Sequence, residues 1–207
     1  SFIARSQATG SRTIVHYRDL PELDAAAFAR VPLAGLDWVH FEGRNPPETR
    51  CMLDRVRREA PGLPVSLELE KPRPGIEQLL HGPDLLLISR GFALSDGGAR
   101  AAADPGAYLT SLAGRTGAEV LVLGWGTRPA WLLVRGGVPE PTPIRPPERV
   151  LDTLGAGDVL NAVMIDGLLQ GLAPRRALRR AMALAGLKCG RPGLDGIATA
   201  ALEEGLL

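Results

Sequence analysis

Lysine is nearly absent from this sequence: Lys71 and Lys188 are its only two, among 24 basic residues in all. Cysteine is as scarce, with Cys51 and Cys189 alone and no CxxC pair. That leaves no disulfide framework, and two free thiols in a reducing compartment are expected. Charge of one sign is lacking too. A formal net charge of +1 argues against a nucleic-acid binder, which carries a clustered basic surface. Long apolar runs are missing: the strongest, Leu85-Leu86-Leu87-Ile88 and Val120-Leu121-Val122-Leu123, are far too short for a membrane-spanning helix. No stretch reads as a signal peptide, so a cytoplasmic protein is expected. The first residue is Ser1 rather than Met, which leads us to expect a fragment or a processed product. A lysine that persists in an arginine-rich background hints that a compact ammonium is useful there.

What is present is an ordinary globular composition, 45% hydrophobic and 23% charged over 207 residues, enough for one domain with a sizeable core. Strand and helix patterns alternate. Strands are expected at 12–17, 36–42, 65–70, 85–88, 119–123 and 130–134, with a short one at Val150-Leu151 after a Pro-rich connection. Helices are expected at 24–30 with Asp24 as N-cap, from Pro46 to about Glu59, at 99–112, at 157–170 and from Pro174 to Cys189, the last two closing the chain. This alternation predicts an α/β fold with a mainly parallel sheet flanked by helices. Ligands of such sheets lie outside the carboxyl ends of the strands. The loops to inspect are therefore 43–45, 71–73, 89–90, 124–129 and 153–158.

One of these loops carries chemistry. Asp152-Thr153-Leu154-Gly155-Ala156-Gly157-Asp158 leads into a predicted helix. Its glycines allow a tight turn and a close backbone approach to a ligand. The helix start then directs unpaired N–H groups and a positive dipole end at that ligand. A carboxylate inside a phosphate site repels phosphate, which makes sense if it accepts a proton from a nucleophile beside a transferring phosphoryl group. Two other readings compete: Asp158 as a plain N-cap, and a Gly-rich dinucleotide or methyltransferase loop. The second normally follows the first strand of its fold, whereas this loop comes last.

The motif, with Asn161, resembles the C-terminal signature of the ribokinase (PfkB) family. Ser11-Arg12-Thr13-Ile14-Val15, Trp38-Val39-His40, Glu42-Gly43-Arg44-Asn45, Glu70-Lys71-Pro72-Arg73, Lys188-Cys189-Gly190 and Gly193-Leu194-Asp195-Gly196-Ile197 are similar, in order, to its ketohexokinase branch. The resemblance implies an ATP-dependent sugar kinase acting on a ketohexose such as fructose at its 1-hydroxyl. It implies Asp158 as catalytic base and Gly155, Ala156 and Gly157 as an anion hole. It further implies Mg²⁺ with the ATP, and a monovalent cation, K⁺, near Asp152 and the backbone of Leu154. Arg12, Arg90, Trp125, Gly126, Thr127, Asn161 and Cys189 are the expected nucleotide contacts, and Glu42, Arg44 and Asn45 the expected sugar contacts. Residues 1–17 are expected to be a lid hairpin through which the complete protein forms a homodimer. The family's N-terminal part, with most sugar-gripping residues, has no counterpart here, so the fold is expected to be incomplete at its N-terminus and the 207-residue chain alone inactive.

Several positions also have plain readings. Glu42 shares a strand face with Trp38 and His40; a His40–Glu42 metal pair would need a third ligand that the sequence does not offer. The Ala181, Met182, Ala185, Cys189 stripe has core spacing, and the resemblance puts one edge of it toward adenine. Two departures stand out. Pro129 occupies the place of a second loop glycine and has no N–H to donate, and Ser89-Arg90-Gly91-Phe92 replaces an Asn-x-x-Glu motif. Two further readings follow: a non-catalytic kinase-like protein, or a family member for another sugar or a nucleoside.

Overall fold

The structure is a computed structural model that describes residues 2–5 and 12–207. Strands β1 (Phe2–Arg5) and β2 (Arg12–Val15) pair antiparallel, Phe2 opposite Val15 and Arg5 opposite Arg12. The expected turn at Gly10-Ser11 and the side chain of Arg12 lie outside the described residues.

The body is one six-stranded sheet in the order β3 (Val39–Glu42), β4 (Val65–Leu69), β5 (Leu85–Ser89), β6 (Val120–Gly124), β7 (Ala130–Val134), β8 (Glu140–Thr142). The first four strands are parallel and the last two pairings antiparallel. Strands β5 and β6 are buried along nearly their whole length, as continuous apolar runs in a doubly covered parallel sheet must be. Their odd and even residues feed different cores. Leu86, Ile88, Leu121 and Leu123 pack in one with Phe41, Leu53 and Leu109. Leu85, Leu87, Val120 and Val122 pack in the other with Met164, Leu178 and Ala181.

Helices α1 (Ala25–Phe28), α2 (Pro46–Glu59), α3 (Arg90–Ala103) and α4 (Pro105–Ala113) cover the first face, and α5 (Ala156–Leu169) and α6 (Pro174–Cys189) the second. Their ends follow local rules. The Asp24 carboxylate caps α1 by accepting from Ala27 N–H at 2.6 Å. Pro46, Pro47 and Glu48 open α2, and Arg57 and Arg58 close it, each suited to its end of the dipole.

Three expectations need correction. The helix expected at 99–112 is two helices: α3 starts at Arg90, capped by Ser89, and is interrupted at Gly98, and α4 restarts after Asp104, which caps it through Ala107 N–H at 2.9 Å. Val150-Leu151 is no strand; the Leu151 and Asp152 N–H groups donate instead to the Cys189 carbonyl at 2.8 and 3.1 Å. The edge strand is β8, inside the Pro-rich connection. A third helix, α7 (Ile197–Glu203), follows α6.

Candidate active site

The carboxyl ends of β4, β5 and β6 open into a cleft of about 530 Å³. Glu68, Ser89 and Gly124 stand at the strand ends; Ala156, Gly157 and Asn161 come from the start of α5, and Ala185, Gly186 and Cys189 from the end of α6. The Pro-rich connection closes the far wall with Ile144, Arg145, Pro146 and Pro147. The fold thus brings a helix N-terminus, an apolar slot and a strand-end carboxylate together at the edge where α/β sheets bind ligands.

Gly155 is the N-cap of α5, in the left-handed conformation (φ 78°) that its lack of a Cβ permits. Asp158 lies in the first turn, exposed, and the helix has no side-chain cap bond. The plain N-cap reading of Asp158 is therefore excluded. The Ala156 N–H already reaches the Thr153 carbonyl at 3.3 Å, so the freest donors of the turn are those beside it. One turn on, Asn161 is only 8% exposed and stands close enough to Glu68 to favour its charged form.

Glu68 is a site residue that the sequence reading missed. Burial raises its pKa; the Asn161 side chain opposes this, and the charges of Glu70, Glu42 and Asp158 add to it. The other three carboxylates stand near enough for their charges to act on Glu68, which is the one of the four that lines the cleft. Alternation in Val65-Ser66-Leu67-Glu68-Leu69 carried the signal, because it places Ser66 and Glu68 on one face. The register sets Ser66 beside His40 and Glu68 beside Glu42.

His40 is tied to that row rather than to a metal. Its Nδ1 lies 2.8 Å from Ser66 Oγ, which also accepts the Trp38 indole N–H at 2.8 Å. Ser66 is fully buried, so its hydroxyl hydrogen needs an acceptor, and His40 Nδ1 is in reach. On that assignment the neutral imidazole carries its proton at Nε2. Partial desolvation lowers the pKa of His40 in spite of the charges on Glu42 and Asp158. Among the described residues no group of three or more His, Cys, Asp or Glu side chains is arranged to hold a metal.

The other expected residues divide. Trp125, Gly126, Thr127, Asn161 and Cys189 line the cleft, as do Met182 and Ala185 of the α6 stripe, while Ala181 is in the core. Burial pushes the Cys189 thiol pKa up. Pro129 is exposed and does not line the cleft. Arg90 is exposed at the start of α3 and likewise stands off the lining; the neighbouring Ser89 hydroxyl donates to the Glu70 carbonyl at 2.6 Å and caps α3 through Phe92 N–H at 3.0 Å. Glu42 and Arg44 form an ion pair at the end of β3, and Asn45 is the residue before α2. None of these three lines the cleft.

The oxygens of Asp152, the residue expected beside a monovalent cation, already meet donors of the chain itself. Its Oδ2 accepts from Lys188 Nζ at 2.7 Å and from Gly193 N–H at 3.1 Å, its Oδ1 accepts from Leu154 N–H at 2.9 Å, and its carbonyl accepts from Lys188 Nζ at 2.9 Å. The Lys188 hydrogen bond, helped by the Leu154 and Gly193 N–H groups, holds the Asp152 carboxyl at about 2.

Comparison with known proteins agrees with this geometry. Residues 70–200 match the pfkB family of carbohydrate kinases. Mouse ketohexokinase is 38% identical over 200 residues, covering 93% of this chain and 66% of its own length. Arabidopsis thaliana ribokinase, solved with ribose and ATP, superposes with a TM-score of 0.72 at 19% identity, over 97% of this chain and 66% of that one. Thermotoga maritima ribokinase gives 0.70 at 18%, over 98% and 68%. These structural likenesses are of fold, a ribokinase-like sheet, and the chain spans 66% of the length of its mouse relative. A match that runs through the α5 loop and covers well over half of the sequence places the chain in the pfkB family of carbohydrate kinases.

Proposed function

We propose that the protein carrying this chain is an ATP-dependent sugar kinase in which Asp158 is the general base and a ketohexose such as fructose is phosphorylated at its 1-hydroxyl. The observation that carries the reading is the start of α5: an exposed carboxylate, Asp158, in the first helical turn, next to Gly157, which with Ala156 and Asn161 lines a largely apolar cleft. The purine would lie between the Pro146-Pro147 wall and the Ala185–Cys189 edge of α6, with Trp125, Gly126 and Thr127 beside it. The triphosphate would then run toward α5, where first-turn N–H groups and the dipole stabilise charge on the transferring group. Asp158 takes the proton of the attacking hydroxyl as the phosphoryl group moves. Mg²⁺ would arrive with the triphosphate, as it commonly does where the protein builds no cage of its own. The ketohexose preference draws on the 38% identity to mouse ketohexokinase.

The β1–β2 ribbon exposes Phe2, Ile3, Ile14 and Val15, which suits a lid that also meets a second copy. The test is Asp158→Asn in the full-length protein, assayed on fructose, ribose and a nucleoside. Turnover should fall by roughly 10²–10⁴-fold, the range of a general base, with a smaller change in ATP affinity. Unchanged turnover refutes the base; activity confined to ribose or the nucleoside refutes the ketohexose.

A further inference from the structure

We propose that the ammonium of Lys188 is a built-in replacement for the monovalent cation beside the α5 loop, so that the order of this loop is independent of K⁺. The inference rests on the loop's own contacts and holds whichever sugar is phosphorylated.

The oxygens that would hold such an ion are those of Asp152 and its neighbours. Both the carboxylate and the carbonyl of Asp152 already bind one cation, Lys188 Nζ, at 2.7 and 2.9 Å. The lysine side chain is fully buried, at 0% exposure, so this is no solvated surface pair. Placement is enforced from both sides. Lys188 sits in the last turn of α6, and the next residue, Cys189, accepts the Leu151 and Asp152 N–H groups through its carbonyl. Asp152 is thereby held against the end of α6 while its own carboxylate accepts from Leu154 N–H and Gly193 N–H. The one contact set spans the chain before the loop, the loop itself and the segment after α6.

An ammonium is close to K⁺ in size and equal to it in charge. Tethered through α6 it meets the Asp152 oxygens as an intramolecular partner, without being drawn from solution. A K⁺ entering here would have to expel the lysine, leaving a buried ammonium without its carboxylate, an arrangement strongly unfavourable in a protein interior. Lysine rather than arginine suits the role because its charge is a compact point with three rotatable donors. This accounts for one of only two lysines in a chain that elsewhere uses arginine.

The experiment compares the chain with Lys188→Ala by thermal melting in KCl, NaCl and choline chloride at equal ionic strength, and titrates KCl into each by calorimetry. The wild-type chain should melt at one temperature in all three salts and bind no K⁺. The variant should melt lower in choline chloride and be restored by KCl or ammonium chloride. A site filled at a hundred times its Kd raises the melting temperature by roughly 5–10 °C in a chain of this size. If the variant folds only when refolded in KCl, that also supports the proposal. K⁺-specific stabilisation or binding in the wild-type chain overturns it, and so does a variant equally destabilised in every salt. The wild-type measurements decide even if the variant does not fold. Neither readout involves sugar phosphorylation, so a failure here is distinct from a failure of the kinase reading.

Discussion

Gly186→Ala probes how the wall of the cleft proposed for the nucleotide is positioned. Gly186 lies on the edge of α6 that faces the Pro-rich connection, where it meets the backbone of Arg145. A Cβ at this position would stand 3.1 Å from the Arg145 carbonyl carbon and far inside van der Waals contact with its oxygen. The obstacle is backbone, so no rotamer change relieves it. To recover an ordinary separation of ~3.5 Å the connection must retreat by on the order of 1 Å. Arg145, Pro146 and Pro147 all belong to the far wall of the cleft, so the retreat widens the slot proposed for the purine. Overpacking of this kind costs about 1–3 kcal/mol, and in a chain of this length each kcal/mol lowers the melting temperature by about 2–4 °C. We expect Gly186→Ala to melt lower by roughly 2–12 °C on that scale and to bind an ATP analogue more weakly, read by scanning fluorimetry and calorimetry. Gly157→Ala is the control. Nothing lies within 4 Å of its added Cβ and the position is helical, so stability should hold or rise by up to ~1 kcal/mol, while phosphate affinity should fall because the methyl group enters the proposed anion site. An unchanged melting temperature with unchanged nucleotide affinity in Gly186→Ala would refute the close approach as the determinant of the wall.

Three further outcomes follow. Pro129→Gly should leave ATP affinity unchanged or slightly tighter by calorimetry, because Pro129 is off the cleft lining, while restored chain freedom in the unfolded state costs about 0.4–1 kcal/mol; weaker binding would show a loop adapted around proline. Desolvation lowers the pKa of His40 in the folded chain, so the unfolded chain binds the proton first and stability should decline as pH falls below about 6.5. Ser66→Ala should free Nδ1 and shift the His40 titration, and ¹⁵N spectra of the wild type showing protonation at Nδ1 would contradict the assigned tautomer.

The parts of this site that the sequence disclosed are those whose meaning is local. The α5 loop could be read because two glycines, a helix start and a carboxylate fall within seven residues, and β5 and β6 because unbroken apolar runs have few other uses in an α/β fold. Where the meaning lay in a distant partner, the reading stopped short. Val150-Leu151 has strand-forming side chains, yet the N–H groups of Leu151 and Asp152 go to Cys189, nearly forty residues away, and no pattern within the segment announces that. The start of α3 was hidden because its cap, Ser89, ends the preceding strand, and because the glycines at 97 and 98 depress helical propensity where the helix is interrupted. Glu68 lies between these cases. Alternation fixed its face, but only the neighbouring strand's register and Asn161 make it a cleft residue. Lys188 shows the same division. Its rarity could be seen from composition, whereas its partner, 36 residues earlier in the chain, could not. If Lys188 replaces a cation as proposed, the loop motif alone does not decide cation dependence, and the residue at the end of α6 does.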